Sequence, residues 1–246
     1  MKRDSPFTGG KFSHAQINWI RDTLAWGIKQ NKVMLAVMHH GVVEHYNSQK
    51  KHFRDYLVRS NVQVARILAS GKVPLVFTGH YHAQDIALTK FKNGTYLYDV
   101  ETGSLVTYPD PLRLVTLESS GKAVISSFNV TEIPSFTAAG RDFADYSKSN
   151  VRSGINGIAV ATMIKFGMKE PEAAMLAPQI TEAFIAHYSG DERFTGKEML
   201  ATGGLSFMGG LVVGNRKDLV YGLWQDSEPP DNSLIIDFTS GSWFSP

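Results

Sequence analysis

The chain has 246 residues, 43% of them hydrophobic and 20% charged, with a formal net charge of +2 and no cysteine. That length allows one or two domains around a sizeable core. No basic block gives a nucleic-acid signal, and no apolar run approaches the ~18 residues of a membrane span. Without thiolates, a metal bound here takes nitrogen and oxygen ligands. The opening residues, MKRDSPFTGGKF, carry basic side chains but no apolar segment, so they do not read as a signal peptide. The compartment stays open.

In chain order, Ser13 followed by Gln16 forms the serine–glutamine pattern of a capping box. The helix it opens places Ile17, Ile20, Leu24 and Ile28 on one face, with Trp19 and Trp26 flanking as packing residues and His14 on the surface. Residues 33–38 are a continuous apolar run, read as a strand buried on both faces. After HHGVVEHYN, Ser48 can cap a helix with Phe53, Tyr56 and Leu57 on its apolar face. Asn61 restarts it, Val64, Ile67 and Leu68 face inward, and Gly71 marks the end. A second buried strand follows at 73–77. Strand, helix, strand at this length is a βαβ unit, which makes the two strands parallel and puts their ends on one side.

Beyond Asp85 the pattern becomes antiparallel. Residues 86–91 and 95–101 join through Asn93-Gly94, a strong hairpin signal. Residues 112–117 and 123–130 form another pair, turned at Ser119-Ser120-Gly121. The mixed, polar stretch around 132–150 reads as a boundary, giving one unit over 1–133 and a mainly helical one over 134–246. In the latter, Ile155, Ile158, Ala159, Thr162, Met163 and Phe166 recur at helical spacing, and Pro171 suits a first helical turn. Pro178 is expected to kink or split that helix and Gly190 to end it. Residues 203–214 are glycine-rich and lead to a last strand at 234–238. Met163, Met168, Met175, Met199 and Met208 read as core fill.

The chemistry concentrates at the two strand ends. His39 and His40 follow the first strand, and the second ends in Gly79-His80-Tyr81-His82. Imidazole is the commonest nitrogen ligand for transition metals, and ligands gather beyond the carboxyl ends of strands in open α/β sheets. Parallel pairing brings all four histidines together, with Gly79 expected to supply the freedom for the turn. Asp85 and Asp99 could orient a ligand histidine. Glu44 and His45 either reach the substrate or sit in a solvated loop. His52 and His187 fall in helices and read as surface residues. The segment GLSFMGG (204–210) lacks the Lys-Ser/Thr of a phosphate loop, which leaves loop or close helix packing.

VMLAVMHHGVVEH and VFTGHYHAQD resemble the last two motifs of the calcineurin-like metallophosphoesterases: a histidine doublet after one strand, then Gly-His-x-His after the next. SHAQINWI before the doublet and ETGSLVTYPDPLRLVTL after it are similar to the same family, so the resemblance covers roughly residues 4–130. It implies part of a layered β-sandwich flanked by helices, in the α/β class, and metal-dependent hydrolysis of a small-molecule or phosphoprotein phosphoester. His39, His80 and His82 would be metal ligands, with His40 near the substrate. The metals would be Fe, Mn or Zn, two per complete site. The family's earlier motifs (Asp-x-His, Gly-Asp and Gly-Asn-His-Asp/Glu) do not occur ahead of the histidine doublet, where the family carries them. The chain is thus similar to the carboxyl-terminal part of such an enzyme. The alternative is a non-catalytic metal-binding or interaction fragment. An incomplete sheet would expose an edge strand and favour association. A cupin needs a glutamate where Ile86 stands, and an amidohydrolase carries His-x-His on its first barrel strand without a preceding doublet.

Overall fold

The computed structural model describes residues 7–225 and 227–246. The expectation about the chain's first residues therefore falls in part outside the described ones. The chain is mixed α/β, with seven α-helices and two four-stranded sheets among the described residues. The first sheet contains β1 (Ala36–Val37), β2 (Leu75–Thr78), β3 (Asp85–Lys90) and β4 (Tyr96–Glu101), ordered β1-β2-β4-β3. β1, β2 and β4 are parallel, while β3 runs antiparallel to β4 as the Asn93-Gly94 hairpin requires. The second sheet is wholly antiparallel: β5 (Pro111–Leu117), β6 (Lys122–Asn129), β7 (Ser233–Asp237) and β8 (Ser242–Phe244), in that order.

Strand periodicity sorts the core. In β2, Leu75 belongs to the cluster shared by the two sheets, and its neighbour Val76 to the one under the helices. Tyr98 and Val100 of β4 face Ala123, Ile125, Leu234 and Ile236 of the second sheet, all fully buried. On the other face, Val76 and Leu97 pack on Leu24 of α1 (His14–Lys29) and on Val64 and Leu68 of α3 (Asn61–Ser70). Each fully buried large apolar side chain contributes roughly 1.5–3 kcal/mol.

The capping box on α1 forms as expected: Gln16 N–H donates to Ser13 Oγ, and the Gln16 side chain accepts from Ser13 N–H at 2.8 Å. Trp19 and Trp26, expected to pack, are 67% and 58% exposed instead, because the helix buries only a narrow stripe centred on Leu24 and Gly27. The first strand also differs. Only Ala36–Val37 of the expected 33–38 run forms a strand, β1 is the sheet's edge, and Val37 in it and Val33 ahead of it are 82% and 71% exposed, so the run is not covered on both faces. The expected second helix is cut short. Ser48 sits at φ +78 and makes no capping bond, and α2 (Gln49–His52) gives way to a 3-10 turn at Arg54–Tyr56.

After α4 (Pro134–Ala138) come three long helices: α5 (Phe143–Lys165), α6 (Glu170–Ser189) and α7 (Phe207–Gly222). Pro178 neither splits nor ends α6, which runs continuously to the Gly190 cap. The glycine-rich segment enters α7, whose Ser206 cap accepts from Gly209 N–H. Met163 and Met168 are buried as expected, but Met175 and Met208 lie on exposed helix faces and Met199 is exposed in the loop between α6 and α7. The helices share a core with Tyr46 and Tyr81 from the strand-end loops. Gly222 allows this approach, because a Cβ there would meet the Asn47 carbonyl at 2.1 Å. Both this core and the β6–β7 ladder join the chain on either side of residue 133.

Candidate metal centre

β1 and β2 continue to pair beyond their last strand residues. Met38 N–H donates to the Phe77 carbonyl, and Gly79 N–H to the His39 carbonyl at 3.1 Å. This locks the histidine doublet beside the Gly-His-x-His turn. The rings of His39 and His80 are 4.4 Å apart, those of His40 and His80 4.5 Å, and those of His39 and His40 5.4 Å. His82 stands beside the trio, with Nδ1 3.0 Å from Thr107 Oγ1. Tyr56 from the 3-10 turn stacks on the far side of His80, centroid to centroid 4.7 Å.

The turn is not made by glycine freedom. Gly79 takes no positive φ, whereas His80 and His82 do, at +79 and +67. Two left-handed histidines in three residues are unusual for side chains with a Cβ. Tyr81 between them accounts for it. Its ring is buried in the helical core, its hydroxyl meets that of Tyr46 at 2.7 Å, and its N–H donates to Glu101 Oε1 at 2.8 Å. Anchoring Tyr81 inward at three points turns both flanking histidines outward. Sequence reading singled out neither Tyr81 nor Glu101; a large aromatic between two polar residues at a strand end was the available signal.

The amino-terminal strap lies over the trio. The Thr8 carbonyl accepts from Nε2–H of both His40 (2.9 Å) and His80 (3.1 Å). A carbonyl can only accept, so both rings carry the proton on Nε2. Gly10 permits the close approach: a Cβ there would lie 2.7 Å from the His40 ring. Burial, followed by the neighbouring imidazoles of His40 and His39, holds the His80 pKa below its ordinary value. Burial and His39 do the same for His82. Both rings are therefore neutral at pH 7, the form that ligates metals.

Behind the trio lies a buried polar network. His45 is not in a solvated loop; it is 1% exposed, and its Nδ1–H donates to Asp85 Oδ1 at 2.6 Å. Asp99 accepts from Val42 and Val43 N–H (2.6 and 2.9 Å) and from Thr78 Oγ1 (2.5 Å), and it approaches His45 Nε2 at 3.5 Å. Asp85 and Asp99 thus serve His45 and the backbone after β1, not the ligand candidates. Glu44 accepts from Lys50 N–H at the start of α2. His187, expected at the surface, is fully buried on α6 and donates to Glu192 Oε1 at 2.7 Å. His52 also leaves the surface, its side chain only 3% exposed and its Nε2 3.1 Å from Asp218. Burial alone would lower the His45 pKa, but the Asp85 and Asp99 carboxylates raise it well above the ordinary value. Burial pushes the Glu101 carboxyl up to about 8, with Asp99 and Asp85 adding to the rise.

The donor chemistry of His39, His80 and His82 would suit one cation only if Thr8 released His80 and the rings re-aimed towards a common point. It does not fit two, because the nearby carboxylates face inward to His45, Tyr81 N–H and the backbone. Among the described residues, no three histidine or carboxylate side chains converge as a ready ligand set. No protein-family model matches the chain, and no curated protein matches it either. No helix among the described residues is long and apolar enough to cross a membrane.

Proposed function

We propose that this chain carries the histidine half of a metal-dependent phosphoester hydrolase of the calcineurin-like kind. The observation that supports it most is the meeting of His39, His40 and His80 within 5.4 Å at the carboxyl ends of two adjacent parallel strands. In this reading His39, His80 and His82 hold a cation, Fe, Mn or Zn, which when bound neutralises charge on a phosphoryl oxygen. His40 donates a hydrogen bond to the phosphate through the Nε2–H that Thr8 now accepts. No carboxylate of the described residues faces the trio, so in this reading a bridging carboxylate would have to be supplied by another segment or chain, for which the β1 edge is an open pairing site. The two facing sheets and the helices under β2 and β4 are compatible with that family's layered sandwich. A second reading, a metal-binding or interaction module without catalysis, draws on the Thr8 carbonyl that occupies two of the four imidazoles.

Metal content and aryl phosphate hydrolysis separate the two. Loaded with Mn, Fe or Zn, the chain is expected to hold roughly one ion, weakly, and His80→Ala to abolish the uptake. Turnover that His80→Ala removes supports the hydrolase; binding without turnover supports the module. Metal content unchanged in His80→Ala would remove the metal site altogether.

A further inference from the structure

A cavity of about 390 Å³ opens between α5, α6 and α7 and reaches Tyr56 and Tyr81 beside the histidine trio. Its walls are almost wholly apolar, built from Ile155, Met163, Leu176, Ile180, Phe184 and Val213 among others. The volume lies in the range of small-ligand pockets, roughly 300–1,000 Å³. No carboxylate lines it; its charged residues are Arg216 and Lys217. A second, more polar cleft of about 540 Å³ shares Arg216, His52, Phe166 and Val212 with the first and adds Lys51 and Asn215. Arg216 therefore stands on the wall between an apolar chamber and a polar mouth.

Cations outnumber carboxylates on that wall. The guanidinium lies 4.3 Å over the Phe166 ring, and its Nη1–H donates to His52 Nδ1 at 3.1 Å. His52 then has its proton on Nε2, facing Asp218 at 3.1 Å. The Asp218 carboxylate also takes Lys51 Nζ at 2.7 Å and Ser48 Oγ at 3.0 Å, so it is already matched. Arg216 has no carboxylate partner among the described residues. Lys51 and Arg216 at the mouth, with Lys217 on the chamber wall, thus outnumber the single carboxylate beside them.

We propose that the chamber binds a single-chain lipid with an anionic headgroup, its acyl chain among α5, α6 and α7 and its head on Arg216 beside Lys51. The apolar interior selects the chain, and a planar guanidinium free of carboxylates selects the head. Tyr56 lines the chamber and stacks on His80, so an occupant touches the ring that backs the histidine trio. The proposal does not depend on a metal or on hydrolysis.

Titration calorimetry of the full chain with dodecanoate, dodecanol and butanoate tests it. Dodecanoate is expected to bind at least about tenfold tighter than either of the others, since each lacks one of the two recognised parts. Arg216→Gln should weaken dodecanoate about tenfold and leave dodecanol unchanged. Val213→Trp, placed in the chamber, should abolish binding of both long-chain ligands, with circular dichroism confirming the fold. The three-ligand comparison on the unaltered chain stands even if either variant misfolds. Equal affinity for dodecanoate and dodecanol, no heat with dodecanoate, or an unaffected Arg216→Gln would each overturn the proposal. So would a dimer in sedimentation that excludes dodecanoate, which would assign the mouth to a second copy of the chain.

Discussion

Glu101 holds a carboxyl group in a place water does not reach, where its Oε1 receives the Tyr81 N–H. With its pKa raised from 4.5 to about 8, it keeps a proton in the folded chain that the unfolded chain has released. Its contribution to stability is complete below 4.5 and lost as pH rises towards 8. The raised imidazoles of His45 and His187 act in the same direction: their stabilisation is present below 6.5 and is lost as pH climbs through their folded values. The thermal midpoint is therefore expected to fall from about pH 6 to about pH 9. Glu101→Gln keeps the acceptor for Tyr81 N–H and should flatten the part of that fall below about pH 8, leaving the imidazole part. Calorimetric scans of both proteins across the range decide it, and a midpoint that climbs with pH contradicts the assignment. The histidine doublet and Gly-His-x-His were legible because each pair is local and parallel strands bring them together. The His45–Asp85 and His187–Glu192 pairs were not, because a histidine in a loop or helix reads as solvated until topology supplies its carboxylate.

At the scale of elements, the ends were easier to read than the coverings. The α1 capping box, both hairpins and the Gly190 stop follow from two to four neighbouring residues. Ser13→Ala removes the acceptor of Gln16 N–H and should cost about 1 kcal/mol in urea denaturation. What covers a strand depends on distant chain, so the apolar run at 33–38 read as doubly buried although β1 is an edge. Pro178 misled for a related reason: tertiary packing on Leu176, Ala177 and Thr181, all fully buried, holds α6 together across a local helix breaker. An edge strand with Val37 exposed, preceded by an exposed Val33, and with unpaired backbone groups is a template for further pairing. The unaltered chain is expected to self-associate at micromolar concentration, and Val37→Lys to shift it towards monomer without lowering its thermal midpoint. Sedimentation velocity of the two checks this, and equal association would exonerate the edge.

The whole molecule rests on three cores that interlock. One lies between the sheets, one between the first sheet and α1 with α3, and one among α5, α6, α7 and the loops that carry Tyr46 and Tyr81. The histidine trio sits over the place where the second and third approach each other. The turn that presents it is set by the helical segment through Tyr81, so residues 134–246 bear on the site although they add no ligand candidate. That dependence was hidden in the sequence, since the segment carries no motif and its apolar residues read only as helix.

The register of the second sheet also sets an order of events. β6 pairs with β7 through partners such as Ser126 and Ser233, more than a hundred residues further along the chain. Such pairing is slow to form, because a long loop must close before the contact stabilises it. On the ribosome, the β5–β6 hairpin must wait with Ala123 and Ile125 only half covered until Leu234 and Ile236 have been made. For that interval the nascent chain carries a bare sheet face of the kind that chaperones hold.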